Sequence, residues 1–417
     1  MRKRLFRILS AGMVLACPAL AADALVFTPD CESPQLLVVV TGGDVPSLLG
    51  QPLAAIRLYA GSQRGLFPVT LQIDPRDDEG RYQIRGPGDA QSQTAAPLLD
   101  DNDELVFRAA DAGPRLSADA LAAQPELVEL SLRNTLTGKP GWIYASVSGK
   151  EERFEQTVSV RYDVAADAVQ TAVYTIGFSR QTPFLIDTLR WKTGGSGQWS
   201  PDVLDTMKIR HRGKLFGFID FTRTGADYNS RLLAIKSGPL RVIRRTENAV
   251  RVLWKLKTPR VYVDYVMSAD SFVMDTIVDI PFRIGMFFSD IDTLTTVDWN
   301  SAPGLPPVSV SSREADRVLV VDGTMNPEKH RFNEFAGTRF SASSRFGDMQ
   351  VQLRIPEDFP ITPWLYFNDA IETPDPPEQV PGQFGHVGFR NTGWENIDTE
   401  VHHLQFKVCL QAKGEPR

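Results

Sequence analysis

Five histidines, His211, His330, His386, His402 and His403, are the side chains suited to proton transfer near neutral pH. None belongs to HExxH or another metal-spaced pair. His386 precedes the run Gly388-Phe389-Arg390-Asn391-Thr392-Gly393-Trp394-Glu395-Asn396. An aromatic ring face beside planar hydrogen-bonding groups is what a sugar ring requires, so Trp394, Arg390, Asn391 and Glu395 are ligand-binding candidates. If His386 meets His402 or His403 beside Arg390, the group offers an acid/base and a charge neutraliser, and Tyr228 is a further candidate of that kind. Neighbouring strand residues face opposite ways, so His402 and His403 cannot both serve one site without a bulge. The plain alternative is separate packing or surface histidines, with Trp394 anchoring a long loop.

Asp100, Asn102 and Glu104 sit in the acidic run Asp100-Asp101-Asn102-Asp103-Glu104, and Asp74, Asp77, Asp78 and Glu79 precede Gly80. Either turn could supply hard oxygen ligands to calcium, although neither has the spacing of a twelve-residue calcium loop; otherwise both are solvated turns and the protein needs no cofactor. Arg241, Arg244, Arg245, Arg251, Lys255 and Lys257 fall on consecutive predicted strands, either as a receptor for an anionic partner or as the wet face of a sheet. No GxSxG, P-loop, dinucleotide fingerprint or CxxCH is present.

The N-terminus reads as an export signal: Arg2, Lys3, Arg4 and Arg7, an apolar run from Ile8 to Ala16, then Ala19-Leu20-Ala21. That places the mature chain in the periplasm or outside the cell. Val14-Leu15-Ala16-Cys17 offers the alternative of a lipoprotein anchored through Cys17. Beyond Cys17 only Cys31 and Cys409 remain, and a disulfide between them is expected, contributing roughly 4–5 kcal/mol in the chain-entropy model; two separate thiols are the alternative.

The formal charge of −6 leaves no basic surplus for a phosphate backbone, which argues against nucleic acid. With 42% hydrophobic and 23% charged residues the composition is that of a folded globular chain, and no apolar run after the signal could cross a membrane as a helix. Roughly 395 residues exceed one ordinary core.

Short apolar or period-two runs bounded by Gly, Pro, Asn and Asp predict an all-β chain. An N-terminal β-sandwich is expected over 22–165, from runs such as Leu36 to Thr41, Pro68 to Ile73 and Glu104 to Arg108, with one helical hint at Ser117 to Leu127. A large antiparallel two-sheet domain is expected over 166–410, then a tail, 411–417. Its runs include Val169 to Phe178, Leu215 to Thr222, Pro239 to Thr246, Ala249 to Lys257 and His402 to Leu410. Thr246-Glu247-Asn248 reads as a hairpin turn, and the Pro/Gly stretch at 302–307 as a point of subdivision.

The run Ser237-Gly238-Pro239-Leu240-Arg241-Val242-Ile243-Arg244-Arg245, the consecutive long strands after it and Gly385-His386-Val387-Gly388-Phe389 resemble the β-supersandwich of galactose-mutarotase-like and polysaccharide-lyase C-terminal domains over about residues 165–410. The resemblance implies sheet architecture and a leaning toward sugar ligands; that family's catalytic His and Glu have no matching positions here. The expectation is an exported, non-catalytic binding protein for envelope or extracellular carbohydrate. The alternatives are a polysaccharide-active lyase or hydrolase and a structural subunit of a cell-envelope assembly, partnered by an envelope protein.

Overall fold

The computed structural model describes residues 23–414 except 28–30, 32–35, 85–96, 135–137, 148–155, 194–196, 254–255, 301–307, 358, 372–383 and 400. The expected export signal with Cys17 and the Pro/Gly stretch at 302–307 therefore lie outside the described residues.

The chain is all-β. Its first part holds β1 (Asp23–Phe27), β2 (Leu37–Thr41), β3 (Ile56–Ser62), β4 (Gly65–Val69), β5 (Gln72–Asp74), β6 (Glu104–Arg108), β7 (Val128–Asn134) and β8 (Pro140–Val147). They make a five-stranded sheet in the order β1-β7-β8-β3-β4 and a three-stranded sheet in the order β2-β6-β5. Period-two patterning sets the faces: Val38 and Val40 are buried while Val39 is exposed, and Ile56, Leu58 and Ala60 all enter one core. The run read as one strand from Pro68 to Ile73 is two. The helical hint shrinks to α1 (Ala118–Ala122), capped by the Ser117 hydroxyl, because Pro125 cannot continue a helix.

β9 (Val160–Asp163), β10 (Ala168–Thr171), β11 (Tyr174–Phe178) and β12 (Ile186–Trp191) form a four-stranded sheet. The expected continuous run from Val169 to Phe178 breaks at a turn in which Thr171 Oγ1 accepts from the Val173 and Tyr174 amides.

The remaining strands are β13 (Leu204–Leu215), β14 (Ile219–Thr224), β15 (Tyr228–Ser237), β16 (Arg241–Leu253), β17 (Leu256–Lys257), β18 (Val261–Ser268), β19 (Ser271–Asp279), β20 (Phe288–Trp299), β21 (Ser309–Ser312), β22 (Arg317–Val320), β23 (Arg339–Ser343), β24 (Gly347–Arg354), β25 (Thr362–Asn368), β26 (His386–Thr392) and β27 (Val401–Ala412), with α2 (Pro327–Phe332) after β22. A five-stranded sheet runs β14-β13-β20-β26-β25; a ten-stranded sheet runs β15-β16-β18-β19-β27-β24-β23-β21-β22, with β17 on β16. Met207, Phe272, Met274, Phe340, Phe389 and Phe406 fill the space between these sheets. The last strand, β27, is inserted between β19 and β24, and from it Cys409 forms the expected disulfide with Cys31.

Two expectations are corrected here. Thr246-Glu247-Asn248 is no turn but the middle of β16, paired to β15 on one side and β18 on the other. Its polar side chains are satisfied inside the sheet: Asn248 Nδ2 donates to Thr246 Oγ1 (3.0 Å), and the Ser230 hydroxyl donates to Asn248 Oδ1 (2.6 Å). The basic cluster is not one wet face, because successive residues point to opposite sides. Arg241 and Arg244 are buried: Arg241 pairs with Asp74 and Glu104 of the first part, and Arg244 pairs with Asp167 over the Phe178 ring. Arg245 pairs with Asp264 and Arg251 with Asp227, while Lys255 and the Lys257 side chain lie outside the described residues.

Candidate binding cleft between the sheets

At one end of the sandwich the five-stranded and ten-stranded sheets part to leave a cavity of about 260 Å³. Ile209, Val250, Val263, Met274, Leu404 and Phe406 give it an apolar lining. Along β13 the alternation brings Met207, Ile209 and His211 to the cleft; along β26 it brings Asn391 there and turns Arg390 to solvent, where its guanidinium meets Asp292 at 2.6 Å.

His211 Nε2 lies 2.6 Å from the Tyr228 hydroxyl, and the Tyr228 ring packs on Phe184 at 4.6 Å between centroids. Burial lowers His211 to about 4 and raises Tyr228, so near neutrality the imidazole is uncharged and the phenol protonated. Asn391 Oδ1 and Trp394 Nε1 belong to cleft-lining residues and have no hydrogen-bond partner among the described residues, but both atoms are sealed from water and so do not face the open cavity. Asp279 is the one carboxylate among the described lining residues, and it stands exposed at the margin.

Of the sequence candidates, Tyr228, Asn391 and Trp394 come together in this cleft. His386 is elsewhere, buried on β26 with Nδ1 3.6 Å from Asp298 Oδ1, and Lys208 pairs with the other oxygen at 3.0 Å. His403 pairs with Asp275 of β19 at 3.0 Å, whereas the His402 ring lies against Phe359 at 4.6 Å. The structure therefore does not bring His386 to either of them. Glu395 adjoins Trp394 with Oε2 buried and unpartnered, and the Trp394 ring meets Phe359 edge-on.

The calcium candidates are engaged with the protein itself. Glu104 is taken by Arg76, Arg241 and the Tyr82 hydroxyl, Asp100 Oδ1 accepts from the Asn102 and Asp103 amides, and Asn102 Nδ2 donates to the Asp77 carbonyl. In the second turn Asp77 and Glu79 pair with Arg81. Among the described residues no three His, Cys, Asp or Glu side chains are arranged to hold a metal ion.

His211, like His330, stands outside the candidates that sequence reasoning selects. Asp205, Thr206, Lys208 and Arg210 interrupt the apolar residues of Leu204–Leu215, and the spacing Met207, Ile209, His211 is the signal in the sequence for a strand with one buried face there.

No protein-family model matches the sequence, and no curated protein matches it. Among solved structures the chain is similar to an alpha-mannosidase from Enterococcus faecalis V583, with TM-score 0.42 and 10% identity over 90% of this chain and 41% of that one. It is also similar to the 4-alpha-glucanotransferase from Thermococcus litoralis, with TM-score 0.28 and 10% identity over 61% and 39%. For the GH92-family glycosyl hydrolase CcMan5 the TM-score is 0.25 and the identity 11%, over 57% and 29%. The chain spans less than half the length of each of these proteins.

Proposed function

We propose that the protein is a non-catalytic binding protein whose inter-sheet cleft takes an amphipathic ligand, an apolar body carrying at least one hydroxyl. The observation that carries this reading is the apolar inter-sheet cavity, with the His211–Tyr228 couple as a polar group at its wall. A free glycan, hydroxylated all round, is a poorer match for aliphatic walls than a molecule whose apolar part fills the space while its hydroxylated end stays at the polar margin beside Asp279. The Cys31–Cys409 disulfide fits a periplasmic or extracellular setting.

Two features weigh against the enzymatic alternative. Hydrolysis of a glycoside ordinarily needs two carboxyl groups flanking the bond, and the described lining supplies one, at the margin. The His211–Tyr228 couple would be the base of a lyase, yet an imidazole lowered to about 4 is a weak base near neutrality, where catalytic groups are tuned to the operating pH.

Binding is tested by titrating an apolar fluorophore, N-phenylnaphthylamine, and displacing it with octyl glucoside, with glucose as control. Saturable binding is expected, displaced by octyl glucoside and not by glucose. Ile209→Trp, which fills the cavity, should abolish it. No saturable binding, or full binding by Ile209→Trp, would overturn the reading.

A further inference from the structure

The hairpin joining β13 to β14 turns at Phe216-Gly217-Phe218, and its two phenylalanines point away from the protein, 58% and 76% exposed. Ile219 continues this surface, and so do Met286, 66% exposed, and Phe287, from the segment before β20. The two segments are joined: the Phe216 amide donates to the Phe287 carbonyl (2.7 Å), and their rings meet edge-on at 6.2 Å. Phe287 in turn packs edge-on against Phe282, which lines the cleft, so the apolar surface runs unbroken from the tip to the cavity.

The backbone adds an independent observation. Phe216 sits at φ 54 and Gly217 at φ 77, so both central residues of the turn are left-handed. That conformation suits Asn or Gly and is unfavourable for a bulky aromatic, and strain of this kind is retained where it serves a function.

We propose that this aromatic tip inserts into a lipid bilayer and so presents the cleft to the membrane surface. Five exposed apolar side chains on a narrow convex turn are too few for a stable protein interface, which uses about 20–30 residues a side, but suffice to bury rings at the headgroup–acyl boundary. The nearby charges balance: Lys214 pairs with Asp290, and exposed Arg212 is offset by exposed Asp220. Docking is therefore apolar in origin, requires no anionic lipid and withstands salt. The tip acts whether or not the cleft reading holds; that reading concerns only what the docked protein would take up.

The test is flotation of the purified protein with phosphatidylcholine vesicles at low and at high salt, beside Phe216→Asn/Phe218→Ser and Ile209→Trp. The wild type and Ile209→Trp should float equally at both salt concentrations. The double variant should partition about tenfold less or weaker still, with a melting temperature unchanged or raised, because Asn tolerates the left-handed turn. A label at Phe218→Cys that shifts to an apolar emission on vesicle addition would place the tip in the bilayer. The proposal is overturned if the wild type stays with the soluble fraction, if the double variant floats as well as the wild type, or if sedimentation velocity shows that the double substitution abolishes self-association instead. A wild type that floats yet shows no saturable fluorophore binding would sink the cleft reading alone.

Discussion

The imidazole of His211 and the phenol of Tyr228 are 2.6 Å apart at the wall of an apolar cavity, and they arrive there from different sheets: His211 from β13 and Tyr228 from the edge strand β15. Their hydrogen bond ties the two layers together where the sheets begin to part, and it makes the open end of the sandwich sensitive to acid.

Burial holds His211 at about 4, below its ordinary value of 6.5. The unfolded chain therefore binds a proton at this site between pH 6.5 and 4 that the folded chain does not, and stability present above 6.5 is lost as pH falls through that window. In His211→Gln, which does not titrate, the decline in urea midpoint between pH 7 and 4 should be shallower than in the wild type. An unaltered decline would show that His211 is charged in the folded protein.

Asp298 has the opposite sign. Burial raises it to about 7 against the attraction of Lys208, so the folded state holds a proton that the unfolded state releases near 3.8. Its contribution is full below about 4 and lost as pH rises toward 7. Asp298→Asn should gain on the wild type in urea titrations as pH is raised from 4 to 8; a constant difference across that range would refute the shift.

Arg241 joins the two cores. Its guanidinium bridges Asp74 and Glu104, while Gln72 Oε1 accepts from the Leu240 and Arg241 amides at 3.0 Å. Lys236 adds a contact of 2.6 Å to Asp74. Arg241→Ala strips Asp74 and Glu104 of their shared buried cation, leaving them only Lys236 and Arg76, and should cost up to about 3–5 kcal/mol. Differential scanning calorimetry should then resolve two transitions where the wild type shows one; a single transition at unchanged temperature would mean that the ion pairs do not couple the cores.

Cys31 and Cys409 are 378 positions apart, and their bond anchors the N-terminal segment to the middle of the ten-stranded sheet. Replacing both by serine should lower stability by up to about 5 kcal/mol, measured against the oxidised wild type. The variant should also lose most of the difference that reduction makes in the wild type.

Several features were legible in the residues. Val38 and Val40 against Val39, or Ile56, Leu58 and Ala60, declare strands with one buried face, and two lone cysteines in a chain with an export-like N-terminus point to each other. Local patterning misled where a polar residue had two readings. Thr246 and Asn248 resemble turn formers, and only cross-strand partners such as Ser230 made them interior strand positions. His211 was equivocal for the same reason: a histidine among charged residues looks like surface until another sheet covers it.

What the sequence by itself determined is the all-β class, because side-chain alternation and turn residues act over a few positions and need no distant partner. Tertiary structure alone decided the site. Three of its members, Tyr228, Asn391 and Trp394, were visible as candidates, but their meeting with His211 depends on how the β13–β20–β26 layer sits over the β16–β18–β19–β27 layer. That packing is set by strand pairing across up to about 130 residues of chain, as between Asp275 and Gln405, and such long-range pairing is chosen by the burial of the whole core and by no local signal.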